Sequence, residues 1–255
     1  MSQRNPDRNE LIVNYMRLRQ TVGWIGTLLP IVLLAGAAFT STARPGSMSG
    51  YYYTDMRDIF VGTLWALGVF LVAYRGYDKV DDSITNVAGF AAIGVALFPT
   101  KPAVCTAGPG ACPASSVTRL STHQQVVGDI HLVLAAVTLI ALGLMALRFA
   151  KKQSKQRFAA ENAIYLGSGA IVLCCVLLAA LFALLPASVK GQWPWLFFFE
   201  AVAVFAFGVS WFVKGRTIQG VRAWIKARHG RTSGIPGPGP EGSPITEQSD
   251  QAATV

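Results

Sequence analysis

Charge is what this chain has least of. Only 14% of its 255 residues are Asp, Glu, Lys or Arg, while 52% are hydrophobic, more apolar surface than one water-soluble core normally holds. Histidine is scarcer still. His123, His131 and His229 are the only three, and their spacing forms no metal-binding motif. The GxxxxGK[ST] phosphate loop, the HExxH zinc motif, the GxSxG elbow and the dinucleotide fingerprint are all missing. Those gaps exclude the familiar signatures of soluble enzymes. A net charge of +9 suggests nucleic acid at first sight, but no soluble module interleaves basic residues with aromatics, so that partner is excluded too.

What the chain does have is long apolar runs. Six segments approach the length that crosses a bilayer as a helix: Val22–Thr40, Ile59–Tyr74, Ser83–Phe98, Val126–Leu147, Ala163–Ala187 and Trp193–Val213. Ile59–Tyr74 and Ser83–Phe98 are short, so their ends are expected to borrow flanking residues. Strands of a barrel would be about half as long, and only helices satisfy the backbone in lipid at these lengths. The expected fold class is all-α: a bundle of six transmembrane helices, residues 22–214, following a 21-residue N-terminal segment.

The basic residues sort by side. Seventeen of the 22 lie in the N-terminal segment, the second and fourth connections and the C-terminal tail, leaving Arg44, Arg57, Lys101, Arg119 and Lys190 on the other side. By the positive-inside rule both termini are expected in the cytoplasm of a bacterial inner membrane. Cys105 and Cys112 flank a Pro/Gly-rich turn in the third connection, on the outer side, and are expected to form a disulfide there. Cys174 and Cys175 lie mid-span, where cysteine behaves as a small hydrophobe. Ser41-Thr42-Ala43 has the composition of a cleavage site, but the preceding apolar run is long for a signal peptide, so a retained helix is expected. Residues 215–230 carry Ile218, Val221, Trp224 and Ile225 at helical spacing among basic residues. They read as an amphipathic helix on the inner leaflet, and 231–255 as a disordered tail.

With that orientation the polar residues form two layers. The outer layer holds Tyr51-Tyr52-Tyr53, which suit an interfacial aromatic belt, followed by Arg57 and Asp58 at the start of the second span. Asp58 fits the first turn of a helix and Arg57 an interfacial cation. Asp129 and His131 open the fourth span about 200° apart around a helix, so they cannot share a face. Glu200 is the sharpest signal. It lies about 10 Å of helix rise past Trp193 amid Phe197, Phe198, Phe199 and Val202. A carboxylate there must face the bundle, find a partner or stay protonated, and Arg57, His131 and Tyr52 are the nearest partners by depth. The inner layer, with Tyr77, Asp78, Asp81 and Asp82, and then Glu161, Asn162 and Tyr165, reads as helix-end chemistry and a solvated turn.

The stretch Ser49-Gly-Tyr-Tyr-Tyr-Thr-Asp-Met-Arg-Asp-Ile-Phe-Val-Gly62, with Tyr74-Arg-Gly-Tyr77, Phe98-Pro-Thr100 and Ile130-His131, resembles a family of uncharacterised bacterial multi-pass membrane proteins. The resemblance covers about Ser47–Leu147 and implies that Arg57, Asp58 and His131 belong to one outer constellation, but it implies no reaction. Similarity to intramembrane hydrolases of the ceramidase type is remote, because those use seven helices and three histidines.

The function expected from these residues is binding of a lipid or small polar ligand in an outward-facing pocket lined by Tyr52, Arg57, Asp58, Asp129, His131 and Glu200. A metal-dependent lipid hydrolase, with His131 as the candidate ligand, is the alternative, and a proton-coupled transporter the third reading. No cofactor is assigned. Membrane lipids are the expected partners, and a homo-oligomer is left open.

Overall fold

The computed structural model describes residues 6–40, 45–105, 116–151, 159–186 and 194–215. Among them are six α-helices: α1 Pro6–Phe39, α2 Arg57–Ala73, α3 Lys79–Leu97, α4 Thr122–Lys151, α5 Ala159–Leu184 and α6 Trp195–Lys214. A short 3₁₀ turn, η1, spans Ser49–Tyr53. The described residues contain no strand beyond an isolated bridge between Val104 and Val117, which pins the base of the α3–α4 connection. Cys112, the expected partner of Cys105, lies outside the described residues, as do 216–230 of the expected amphipathic helix and the tail of 231–255.

Five helices are long and apolar enough to cross a membrane, and α2, at 17 residues, is the short one. The large apolar side chains on their outer faces, such as Phe90, Leu132, Val133 and Leu177, are mostly exposed. In water such a surface would aggregate; in lipid it is the expected exterior. The chain is a helical membrane protein.

The helix bounds follow local chemistry. α1 begins well before its apolar run, with Pro6 at its first position, where the missing N–H is no loss. Pro30, inside α1, withholds the bond that would go to the Gly26 carbonyl, a defect that neighbouring helices make tolerable in a membrane. Asp78 caps α3 by accepting from the Asp81 N–H at 2.9 Å.

Each helix packs on the next, and α6 returns to α1, closing a ring. α4 also touches α6, so α5 leans on the pair from outside. Small residues set the closest crossings. A Cβ on Gly208 of α6 would sit 2.7 Å from the Thr27 backbone nitrogen of α1. One on Gly89 of α3 would sit 2.6 Å from the Gly68 carbonyl of α2. Backbone approaches of this kind hold membrane helices together where no hydrophobic effect separates helix from lipid. The core forms two layers. Leu29, Leu33, Tyr51, Phe60, Leu64 and Phe197 fill the end near η1. Leu71, Tyr74, Leu142, Phe149, Phe207 and Trp211 fill the other.

Candidate functional site

At the η1 end residues 45–56, between α1 and α2, pack against α6. α6 holds them there. The Phe197 N–H donates to the Gly46 carbonyl at 2.9 Å, and the Tyr51 and Phe197 rings meet at 6.0 Å. Glu200, one turn further along α6, accepts from the Met48 N–H at 2.6 Å. Ser49 sets its own N–H and hydroxyl against the same carboxylate. None of the four ion pairs among the described residues includes Glu200. The partner expected from depth was Arg57, His131 or Tyr52; the partners found are the backbone of η1 and the Ser49 hydroxyl. The first N–H groups of a 3₁₀ turn have no acceptor of their own, and a carboxylate satisfies them without burying a second charge.

Behind that contact is a partly open cavity of about 60 Å³, lined by α1, α2, α3, α4, α6 and the turn. A water needs roughly 10–15 Å³ of such space, so the chamber has room for a few waters or one compact ligand. Its polar groups are Glu200, Ser49 and Thr138; Leu29, Phe60, Leu64, Val95 and Leu142 are among its apolar walls. The Thr138 hydroxyl donates to the Leu134 carbonyl of its own helix at 2.8 Å and keeps lone pairs to offer.

Of the other outer residues expected to join Glu200, the structure brings only two together. The Arg57 guanidinium donates to the Tyr52 hydroxyl at 2.9 Å and lies 4.5 Å from its ring centroid, on the surface. Asp58 is exposed in the first turn of α2. Asp129 pairs with Lys101 at 2.6 Å, also exposed. His131 points the other way, as their spacing requires, and is 2% exposed. Its Nδ1 is 2.6 Å from the Phe98 carbonyl at the end of α3, while Nε2 is buried with no hydrogen-bond partner within reach among the described residues. Among the described residues no three metal-ligating side chains cluster. Tyr51 leaves the expected interfacial belt altogether, being fully buried, and Tyr53 donates to the Thr100 carbonyl at 2.6 Å. Burial, then the neighbouring Tyr52, pushes the Tyr53 phenol above its usual range, against a smaller pull from Arg57.

The opposite end holds a constellation that sequence reasoning missed. Asp81, read as part of a solvated turn, is 1% exposed. It accepts from the Tyr77 N–H at 3.1 Å and from Arg148 Nε, and Arg148 also holds Asp78 with both carboxylate oxygens within 3.0 Å. Two further cations sit beside this group. Arg19, 6% exposed, donates to the Tyr74 hydroxyl at 3.1 Å. Lys214, 8% exposed, lies 4.8, 5.0 and 5.5 Å from the ring centroids of Tyr77, Phe149 and Tyr165. Burial alone would raise the Tyr77 phenol, but Lys214 and Arg19 outweigh it and hold it below its usual range. Counting these cations as topology signals hid them. The available clue was position: Arg19 stands one turn from the fully buried Val22, on the same helix face.

No protein-family model, no curated protein and no solved structure matches this chain.

Proposed function

We propose that the chain is a six-pass protein of a bacterial inner membrane, both termini cytoplasmic, whose outer chamber binds a small polar ligand at Glu200. The charge asymmetry supports the orientation. α2 supports the sixth span, because it belongs to the ring and runs between the same two ends as its longer neighbours. The observation that carries the binding reading is the Glu200 carboxylate on the wall of an otherwise largely apolar chamber, outside every described ion pair. A buried carboxylate is complemented best by a positive charge. The ligand class is therefore a compact cation of ammonium size, with Thr138 and Ser49 as further acceptors. The hydrolase reading has no cluster of ligating side chains to build on among the described residues.

The test is thermal stability of the purified protein titrated with ammonium, methylammonium, sodium and potassium, beside Glu200→Gln. Gln keeps an acceptor for the Met48 N–H and removes the charge. The expected result is a saturable rise in Tm with one of these cations that is lost in Glu200→Gln. An equal response in both proteins, or none in wild type, overturns the reading. Proton uptake in vesicles that vanishes in Glu200→Gln while no cation stabilises the protein would favour the transporter reading instead.

A further inference from the structure

Among the described residues that line the chamber, all stand on α-helices of the ring except Met48 and Ser49. Those two belong to residues 45–56, so this wall can move without shifting a helix of the bundle. The helices themselves have little room to part. α1 meets α6 at Gly208, and α2 meets α3 at Gly89 and Gly68, backbone against backbone. The two ends of the segment are pinned separately. The Gly46 carbonyl accepts from the Phe197 N–H at 2.9 Å, and the Tyr53 hydroxyl donates to the Thr100 carbonyl at 2.6 Å. Between those pins, Glu200 accepts from the Met48 N–H at 2.6 Å and from the Ser49 N–H and hydroxyl.

The local sequence suits a moving wall. Gly46 and Gly50 bracket Met48 and Ser49, and a glycine backbone absorbs a change of direction at the least steric cost. A Cβ on Gly46 would meet nothing within 4 Å, so space is open beside it. Met48, 4% exposed, presents a flexible thioether to the chamber, and such a side chain repacks more easily than a branched one. A carboxylate has about four lone-pair sites, enough to hold this wall and still meet a ligand that has passed it.

We propose that residues 45–56 are the gate of the chamber and that the Glu200 carboxylate is its latch. The gate takes its cargo, a compact cation, from the ligand reading above and rests on that reading for it. One side chain then serves twice: it holds the gate shut, and it receives the cation that the gate admits. Opening costs the hydrogen bonds at Met48 and Ser49 and leaves the pins at Gly46 and Tyr53 in place.

The experiment sets a reporter thiol in the chamber wall of the full chain, Ala135→Cys on α4, and follows its reaction with methyl methanethiosulfonate by intact mass. The wild-type chain is the blank for the native cysteines. The reagent is small and neutral, so loss of the Glu200 charge does not change its attraction to the site. Glu200→Gln keeps an acceptor for the Met48 N–H, and its reporter is expected to react within about threefold of the reporter in the parent chain. Glu200→Leu removes the latch and is expected to react at least about tenfold faster, the factor set by losing more than one buried hydrogen bond. Should Glu200→Leu fail to fold, Ser49→Ala takes a single hydroxyl from the same contact and is expected to speed the reaction about threefold. Equal rates in all folded variants, or no reaction in any, overturn the gate. The two readings fail separately. If no cation raises Tm the ligand reading falls, while faster reaction in Glu200→Leu still supports a gate, because the neutral reagent needs no cation site.

Discussion

The two ends of this bundle handle buried charge in opposite ways. At the η1 end a single carboxylate, Glu200, is held by backbone N–H groups beside a small chamber, and the remaining charges stay at the surface. At the Arg148 end five ionisable side chains gather behind aromatic rings, with Asp81 almost wholly enclosed. The first arrangement uses dipoles, which satisfy the carboxylate oxygens without a second buried charge and leave room beside them. The second uses ion pairs, which cancel charge locally and fasten the α2–α3 connection to α4. A buried carboxyl met by dipoles still has room for a further partner; one met by an opposite charge is first a fastening.

The largest expected effect follows from breaking that fastening. Arg148→Met strands Asp78 and the buried Asp81, and should destabilise the protein by about 3 kcal/mol, the lower end for a broken buried pair because Arg148 keeps 24% exposure. Unfolding in mixed detergent would measure it, and a loss under about 1 kcal/mol would mean that water replaces the guanidinium. Next comes Gly208→Ala, which drives a methyl into the α1 backbone and should cost about 1–3 kcal/mol by overpacking the α1–α6 seam. At the η1 end, Glu200→Leu leaves the Met48 N–H without its acceptor and should cost about 1–3 kcal/mol, whereas Glu200→Gln should stay near wild type in Tm. Equal losses in Leu and Gln would show that charge, not the hydrogen bond, holds the turn.

Two tyrosines sharpen the comparison without a change of fold. Tyr77 is held below the usual phenol value of about 10 and Tyr53 is pushed above it. For Tyr77 the folded state releases its proton first, so its contribution to stability grows as pH rises from its folded pKa and is complete above the unfolded one. For Tyr53 the sign reverses: its contribution is complete below the unfolded pKa and is lost as pH rises through the higher folded one. Alkaline titration followed by phenolate absorbance should lose its earliest step in Tyr77→Phe and a late step in Tyr53→Phe. The smallest effect is expected from Arg57→Ala, about 0.5 kcal/mol, since its contact with Tyr52 is exposed.

Much of the architecture could be read from hydropathy because the bilayer imposes one length and one backbone solution on every span. α4 and α6 fall within a few residues of their apolar runs, while α1 begins well before its own. The helix rule that Asp129 and His131 cannot share a face was also readable, since angular spacing is local. Their partners were not. Lys101 and the Phe98 carbonyl lie in other elements, and depth along the membrane normal says nothing about azimuth around the bundle. Depth alone suggested Arg57, His131 or Tyr52 for Glu200, yet Arg57 and Tyr52 pair with each other, His131 meets the Phe98 carbonyl, and a backbone N–H fills that place.

By itself, then, the sequence determined a helical membrane protein and the run of its spans, because burying apolar length in lipid is decided residue by residue. Only tertiary structure decided which charges became buried. That choice depends on how helices rotate about their axes when small residues such as Gly208 and Gly89 let backbones touch. The same rotation turned Arg19, Arg148 and Lys214, three entries in a topology count, into a cluster inside the fold, and set Glu200 on the wall of a chamber.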